Sequence, residues 1–302
     1  LHPQLSGFHN LWRSGKAAVV HATNIPYTGR SHFDGQNLME SGGRIPYAEK
    51  TGWLGRGMEA AGLEGLAVSL PMPLLLRNQE MADNYFPSKW RLPNKDVMQL
   101  IGDTYKIDKK LSKTFQKVVS RPASMLVPTR SRSADQLAII ASDLLASEQG
   151  PQVAVFDLHG FDTHAAQGGV DGEYGARLLE VDKIFTTLSK IMKEKFDDTL
   201  VLTLTEFGRT LRQNSGYGTE HGYGTAILMA GGLIRKPQVF TEWPGIEEKY
   251  LFENRDLFST IDARSIYCSA MSACFNTSFK KIEESAFPSE KLRDLRSELF
   301  QI

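Results

Sequence analysis

Three short runs of aliphatic and β-branched residues each break directly into a loop rich in acid and histidine. Gln152-Val-Ala-Val-Phe156 leads into Asp157-Leu-His-Gly-Phe-Asp-Thr-His164, and Thr199-Leu-Val-Leu-Thr-Leu-Thr205 leads into Glu206-Phe-Gly-Arg209. Lys16-Ala-Ala-Val-Val20 leads into His21 and then Arg30-Ser-His-Phe-Asp34. Runs of this kind read as parallel strands buried on both faces, and open α/β sheets place their sites beyond the carboxyl ends of such strands. The expected fold is therefore α/β: a mainly parallel central sheet with helices on both faces and polar loops gathered at one edge.

The spacing between these runs supports that architecture. Pro3 to Ser14 has helical spacing and stops at Gly15, and Gly65 to Leu70 reads as a further strand closed by Pro71 and Pro73. Ser133 to Ser147 and Arg177 to Phe196 read as helices, the second with Leu178, Val181, Ile184, Leu188, Ile191 and Met192 on one stripe. With the runs at 153 and 199, this helix makes a β-α-β unit whose two loops share an edge. Thr225 to Ala230 is a last core strand before Gly231-Gly232. At 302 residues and 41% hydrophobic, the chain is expected to form one large domain over 1–302, with a helical insertion at 77–133.

Lysine plus arginine equals aspartate plus glutamate at 35 each, so no overall field favours nucleic acid or an anionic membrane. The expected partner is a small molecule. Eight basic residues against one aspartate between Lys106 and Arg132 read as a solvated helix face, or as an anion-attracting rim. No run approaches the ~20 apolar residues of a membrane helix. Cys268 and Cys274, six helical residues apart, are separated by about 9 Å of rise, beyond disulfide reach, and are expected as buried thiols. The chain opens at Leu1-His-Pro, which suggests a processed or truncated front.

Two Asp-x-His pairs fall within Asp157–His164, where Gly160 gives the turn its freedom. Asp162 and His164, in the turn beyond the strand, rank above Asp157 and His159 as metal ligands; capping and satisfied histidines are the bland alternative. Glu206, after an apolar run, needs a partner, either Arg209 or a metal. His221 stands in the glycine-rich Gly218-Thr-Glu-His-Gly-Tyr-Gly224. The loop from Tyr27 to Asp34 offers Thr28, Arg30, Ser31 and His32: a hydroxyl beside a metal can act as nucleophile, and an arginine fork suits phosphate or sulfate oxygens. Ser31 as a helix cap is the alternative.

Leu1-His-Pro, Leu11-Trp-Arg-Ser-Gly15, Val19-Val-His-Ala22, Arg30-Ser-His-Phe33, Gly52-Trp-Leu-Gly-Arg56, Gly160-Phe-Asp-Thr-His164, Thr205-Glu-Phe-Gly-Arg209 and His221-Gly222 together resemble the bacterial family called domain of unknown function 1501. That family is in turn similar to the alkaline phosphatase and sulfatase superfamily. The resemblance implies one or two divalent metals at the sheet edge, zinc first, with calcium, magnesium or manganese as alternatives. It places the Arg30-Ser31-His32 loop in the nucleophile region and matches Asp162, His164 and His221 to metal ligands. Glu206-Phe207 stands where relatives carry an Asp-His pair. It also implies a twin-arginine export signal, a periplasmic location, and an upstream strand end bearing a ligand aspartate.

The expected function is a metal-dependent hydrolase of phosphate or sulfate esters. Ser31 or Thr28 would be the nucleophile, Arg30 or His32 would steady the charge, and Asp162, His164, Glu206 and His221 would hold the metal. A non-catalytic binding or scaffold protein of the same fold is the rival reading, and a metal-dependent mutase shares the site plan.

Overall fold

Alternate residues of the first strand face opposite sides of the sheet, and both sides are buried: Ala18 and Val20 join one apolar cluster, Ala17 and Val19 the other. A strand with no polar face needs a helical layer above and below it. The computed structural model describes residues 1–69, 71–77, 82–85, 92–120, 133–148 and 150–301.

In chain order, α1 (Ser6–Arg13) leads into β1 (Ala17–Asn24), then α2 (His32–Ser41), α3 (Trp53–Ala61), β2 (Gly65–Ala67) and β3 (Ala82–Asn84). Next come α4 (Lys95–Tyr105), α5 (Lys109–Val119), α6 (Ala134–Leu145), β4 (Val153–Val155), α7 (Glu173–Met192) and β5 (Val201–Leu202). The chain closes with β6 (Thr225–Ala230), β7 (Val239–Phe240), β8 (Ile261–Asp262), α8 (Ala263–Cys274), α9 (Phe279–Ala286) and α10 (Arg296–Leu299). One sheet has the order β5-β6-β1-β7, with β8 also on β1, and a second has β3-β2-β4. Four of these six pairings are parallel; β6 runs antiparallel to both β1 and β5. The fold is thus α/β with mostly parallel strand pairs and helices around them.

On one side, α2, α3, α8 and α9 pack Leu38, Trp53, Ile266, Tyr267 and Ile282 against the sheet, with Trp53 stacked on Tyr267 at 4.8 Å. On the other, α1, α6 and α7 supply Phe8, Leu137, Val181, Phe185 and Leu188. The N terminus of α1 is satisfied from a distance: buried Asp182 of α7 accepts the Gly7 and Phe8 amides at 3.0 and 2.7 Å. These are the donors that a local cap residue would otherwise take. Asp182→Ala leaves both amides unanswered and is expected to cost about 2–4 kcal/mol in chemical denaturation.

Four expectations change. β4 and β5 do not pair as a β-α-β unit; they lie in separate sheets with an apolar cleft between them, so residues 199–205, expected buried, are half-exposed. His21 lies inside β1, stacked on Trp243 at 5.1 Å, because β1 runs on to Asn24 rather than ending at Val20. Cys268 is buried, but Cys274 is exposed, on the wall of that same cleft. The stretch 77–133 holds α4 and α5, neither with a buried residue, but also β3, which pairs with β2. Leu70, residues 78–81 and 86–91, and residues 121–132 with the end of the basic run lie outside the described residues.

Candidate metal centre

Four loops meet at the carboxyl edge. The first follows β1 and brings His32 as the first residue of α2; the second follows β4 and carries Asp162 and His164. The third follows β5 and carries Glu206 and Arg209, and the fourth precedes β6 and carries Glu220 and His221. Backbone bonds lace them together: Thr219 N–H donates to Thr163 C=O at 3.1 Å, and Gly222 N–H to Gly208 C=O at 2.8 Å. The lacing is close enough that a Cβ on Gly218 would sit 2.3 Å from the His164 carbonyl carbon, so that position takes no side chain without displacement.

His32 Nε2 and His164 Nε2 each lie 3.0 Å from His221 Nε2. The Asp162 carboxylate reaches all three rings, with Oδ2 3.1 Å from His32 and Oδ1 2.9 Å from His164 and 3.0 Å from His221. What lies behind each ring decides its chemistry. His32 Nδ1 faces Glu206 Oε1 at 2.7 Å, His164 Nδ1 faces Glu220 Oε2 at 2.8 Å, and His221 Nδ1 faces the Arg30 carbonyl at 2.8 Å. A carbonyl or an ionised carboxylate only accepts, so in the neutral rings each Nδ1 carries the proton and each Nε2 turns a lone pair inward. Three lone pairs and a carboxylate then converge with no donor among them except Arg209, which bonds Asp162 Oδ1 and the Thr219 carbonyl.

Such a set calls for a positive charge. Burial disfavours ionised Asp162, but bonds from Arg209 and His32 outweigh it and hold the carboxyl at about 2. Burial likewise lowers His32, yet Glu206 and Asp162 on either side of the ring raise it above the usual imidazole value, so where no cation is held a second proton on Nε2 answers Asp162. His32, Asp162 and His221 each place a ligand atom within 4.8 Å of the other two, and His164 adjoins two of them. Around a tetrahedral zinc with bonds of 2.0–2.1 Å, ligand atoms stand about 3.3 Å apart, near the separations found here. Imidazole backed by carboxylate or carbonyl is the arrangement that orients metal-binding histidines.

Of the residues singled out from sequence, Asp162, His164 and His221 lie together. His32, read as a charge stabiliser, turns its Nε2 into the same cluster. Glu206 stands behind His32 rather than beside Asp162, and Arg209 pairs with Asp162 instead of Glu206. The Arg30 guanidinium turns away to Glu253 and Asp256, leaving its carbonyl to hold His221. Ser31 caps α2, its Oγ accepting the Asp34 amide at 3.4 Å, while Thr28 is exposed. Sequence reasoning passed over Glu220, although it adjoins His221; Asn214 bonds it on the far side. Glu220→Gln keeps the shape but removes the charge behind His164, and any zinc taken up at this cluster is expected to be held about 10–100-fold more weakly in a calorimetric titration.

No curated protein and no solved structure matches the chain. A family model does match, over residues 96–267, a span that holds Asp162, His164, Glu206, Arg209, Glu220 and His221. The chain belongs to the family described as "Protein of unknown function (DUF1501)".

Proposed function

We propose that this protein is a metal-dependent hydrolase of phosphate or sulfate esters. The observation that carries the reading is the convergence of three imidazole lone pairs and the Asp162 carboxylate, each imidazole held from behind by an acceptor. The donor set of nitrogen and carboxylate oxygen fits zinc best. A bound ion there would polarise an ester oxygen and lower the pKa of a neighbouring hydroxyl. Ser31 immediately precedes His32, so its hydroxyl is tied to the position of one donor ring, and Thr28 lies three residues earlier in the same loop. Glu206, Glu220 and the Arg30 carbonyl fix the rings, and Arg209 fixes Asp162. Export by the twin-arginine route, a periplasmic location and kinship with the alkaline phosphatase and sulfatase superfamily belong to this proposal and rest on the resemblance of motifs.

One observation favours a second reading, a binding protein that retains the metal without turnover. Arg30 is committed to Glu253 and Asp256, and Arg209 to Asp162 and Thr219, so neither guanidinium is free for an ester's equatorial oxygens. Elemental analysis of the purified protein, followed by assay of the zinc-loaded form on nitrophenyl phosphate, bis(nitrophenyl) phosphate and nitrophenyl sulfate, separates the two. The hydrolase reading expects bound zinc and turnover that falls at least about a thousandfold in Ser31→Ala or Thr28→Ala. Bound zinc that raises the melting temperature, with no turnover on any of the three, establishes the binding protein instead.

A further inference from the structure

Between β4 and β5 lies a cleft of about 1440 Å³ that runs through the middle of the protein, in the plane of the sheets. Its volume exceeds the ~300–1,000 Å³ of most small-molecule pockets. Each long side is a strand edge. Among the described residues β4 pairs only with β2, and β5 only with β6, so each has one edge turned to the cleft without a partner strand. The two edges run the same way, because both strands deliver their following loops to the same metal centre.

The two broad walls are apolar and belong to the two helical layers. Trp53, Tyr267 and Met271 line one wall; Val181, Phe185 and Leu188 line the other. Cys274 is reachable from the cleft, yet the surrounding protein pushes its thiol up to about 12, and the Asp157 carboxyl at the β4 end is raised by the same desolvation.

We propose that this cleft is a strand-docking slot: it takes one extended polypeptide strand, apolar on both faces, inserted parallel to β4 and β5 and hydrogen-bonded to both. Parallel strands buried between two helical layers are apolar on both faces, as these walls require. The two unpaired edges choose a peptide over an acyl chain. Aliphatic matter would fill the space but leave both rows of backbone N–H and C=O groups facing hydrocarbon, at a cost for every group, whereas a strand satisfies them. A strand so placed would emerge at its carboxyl end beside Asp162 and Glu206, which also line the cleft.

The test uses a synthetic peptide of about six alternating valines and leucines flanked by lysines, the same peptide with alternate amides N-methylated, and decanoate. Modification of Cys274 by a methanethiosulfonate reagent reads entry into the cleft, and amide exchange over 153–156 and 200–204 reads pairing. The unmodified peptide is expected to slow both, exchange by at least about tenfold; the N-methylated peptide and decanoate slow Cys274 modification at most. The proposal is overturned if the peptide protects Cys274 without slowing exchange, or if decanoate or the N-methylated peptide slows exchange equally. It is also overturned if the peptide does neither, or if both strand edges are as protected as β1 before anything is added.

Discussion

Arg264→Met is expected to destabilise the protein by about 3–5 kcal/mol at neutral pH, the range for removing one partner of a buried ion pair. Arg264 is 1% exposed and stands at the start of α8. Its guanidinium bonds Asp262 Oδ2 at 2.8 Å, Glu290 Oε1 at 2.9 Å and the Gly42 carbonyl at 3.2 Å. Methionine fills a similar volume but leaves the carboxylates facing apolar matter, with Arg44 the remaining cation on Glu290. The penalty should depend on pH in a determined direction. Burial raises the Glu290 carboxyl, but bonds from Arg44 and Arg264 more than offset this and hold it below 4.5. A carboxyl lowered on folding contributes stability above its unfolded value, and that contribution is lost as pH falls through the folded one. The gap between wild type and Arg264→Met should therefore be full at pH 7 and shrink in urea titrations carried below about pH 4. A gap unchanged by acid would mean that the arginine acts by packing alone.

The second large effect falls on His221. Its Nε2 is the atom shared by both neighbouring rings and Asp162, so His221→Ala removes the centre of the donor set. Zinc affinity is expected to drop by more than about 100-fold, beyond the loss that follows removal of an outer partner such as Glu220. In wild type, zinc at a hundred times its dissociation constant should add about 2.7 kcal/mol to stability, and the variant should gain almost none at the same concentration. Equal stabilisation of both proteins would place the ion elsewhere.

Much of this site was legible in the sequence because apolar strands must end in loops, and the loop residues Asp162, His164 and His221 are of metal-binding type. The partners behind the rings were not legible. Glu220 answers His164 from 56 positions away, and Glu206 answers His32 from 174, distances that no local pattern encodes. Periodicity found the strands but not their directions: β6 has the apolar pattern of any core strand, and its antiparallel setting follows from where the 203–224 connection returns. The run 199–205 read as buried on both faces, whereas the structure leaves it half-exposed along the cleft. A docked strand would make the sequence pattern and the fold agree at that run.

The bond between Asp182 and the first turn of α1 bears on the order in which the molecule forms. Eight residues are too few for a helix to persist by itself in water. Here the two leading amides are answered from 175 and 174 positions downstream. The amino-terminal turn should therefore wait in disorder until α7 has been made, and under gentle unfolding it should fray together with that helix rather than ahead of it.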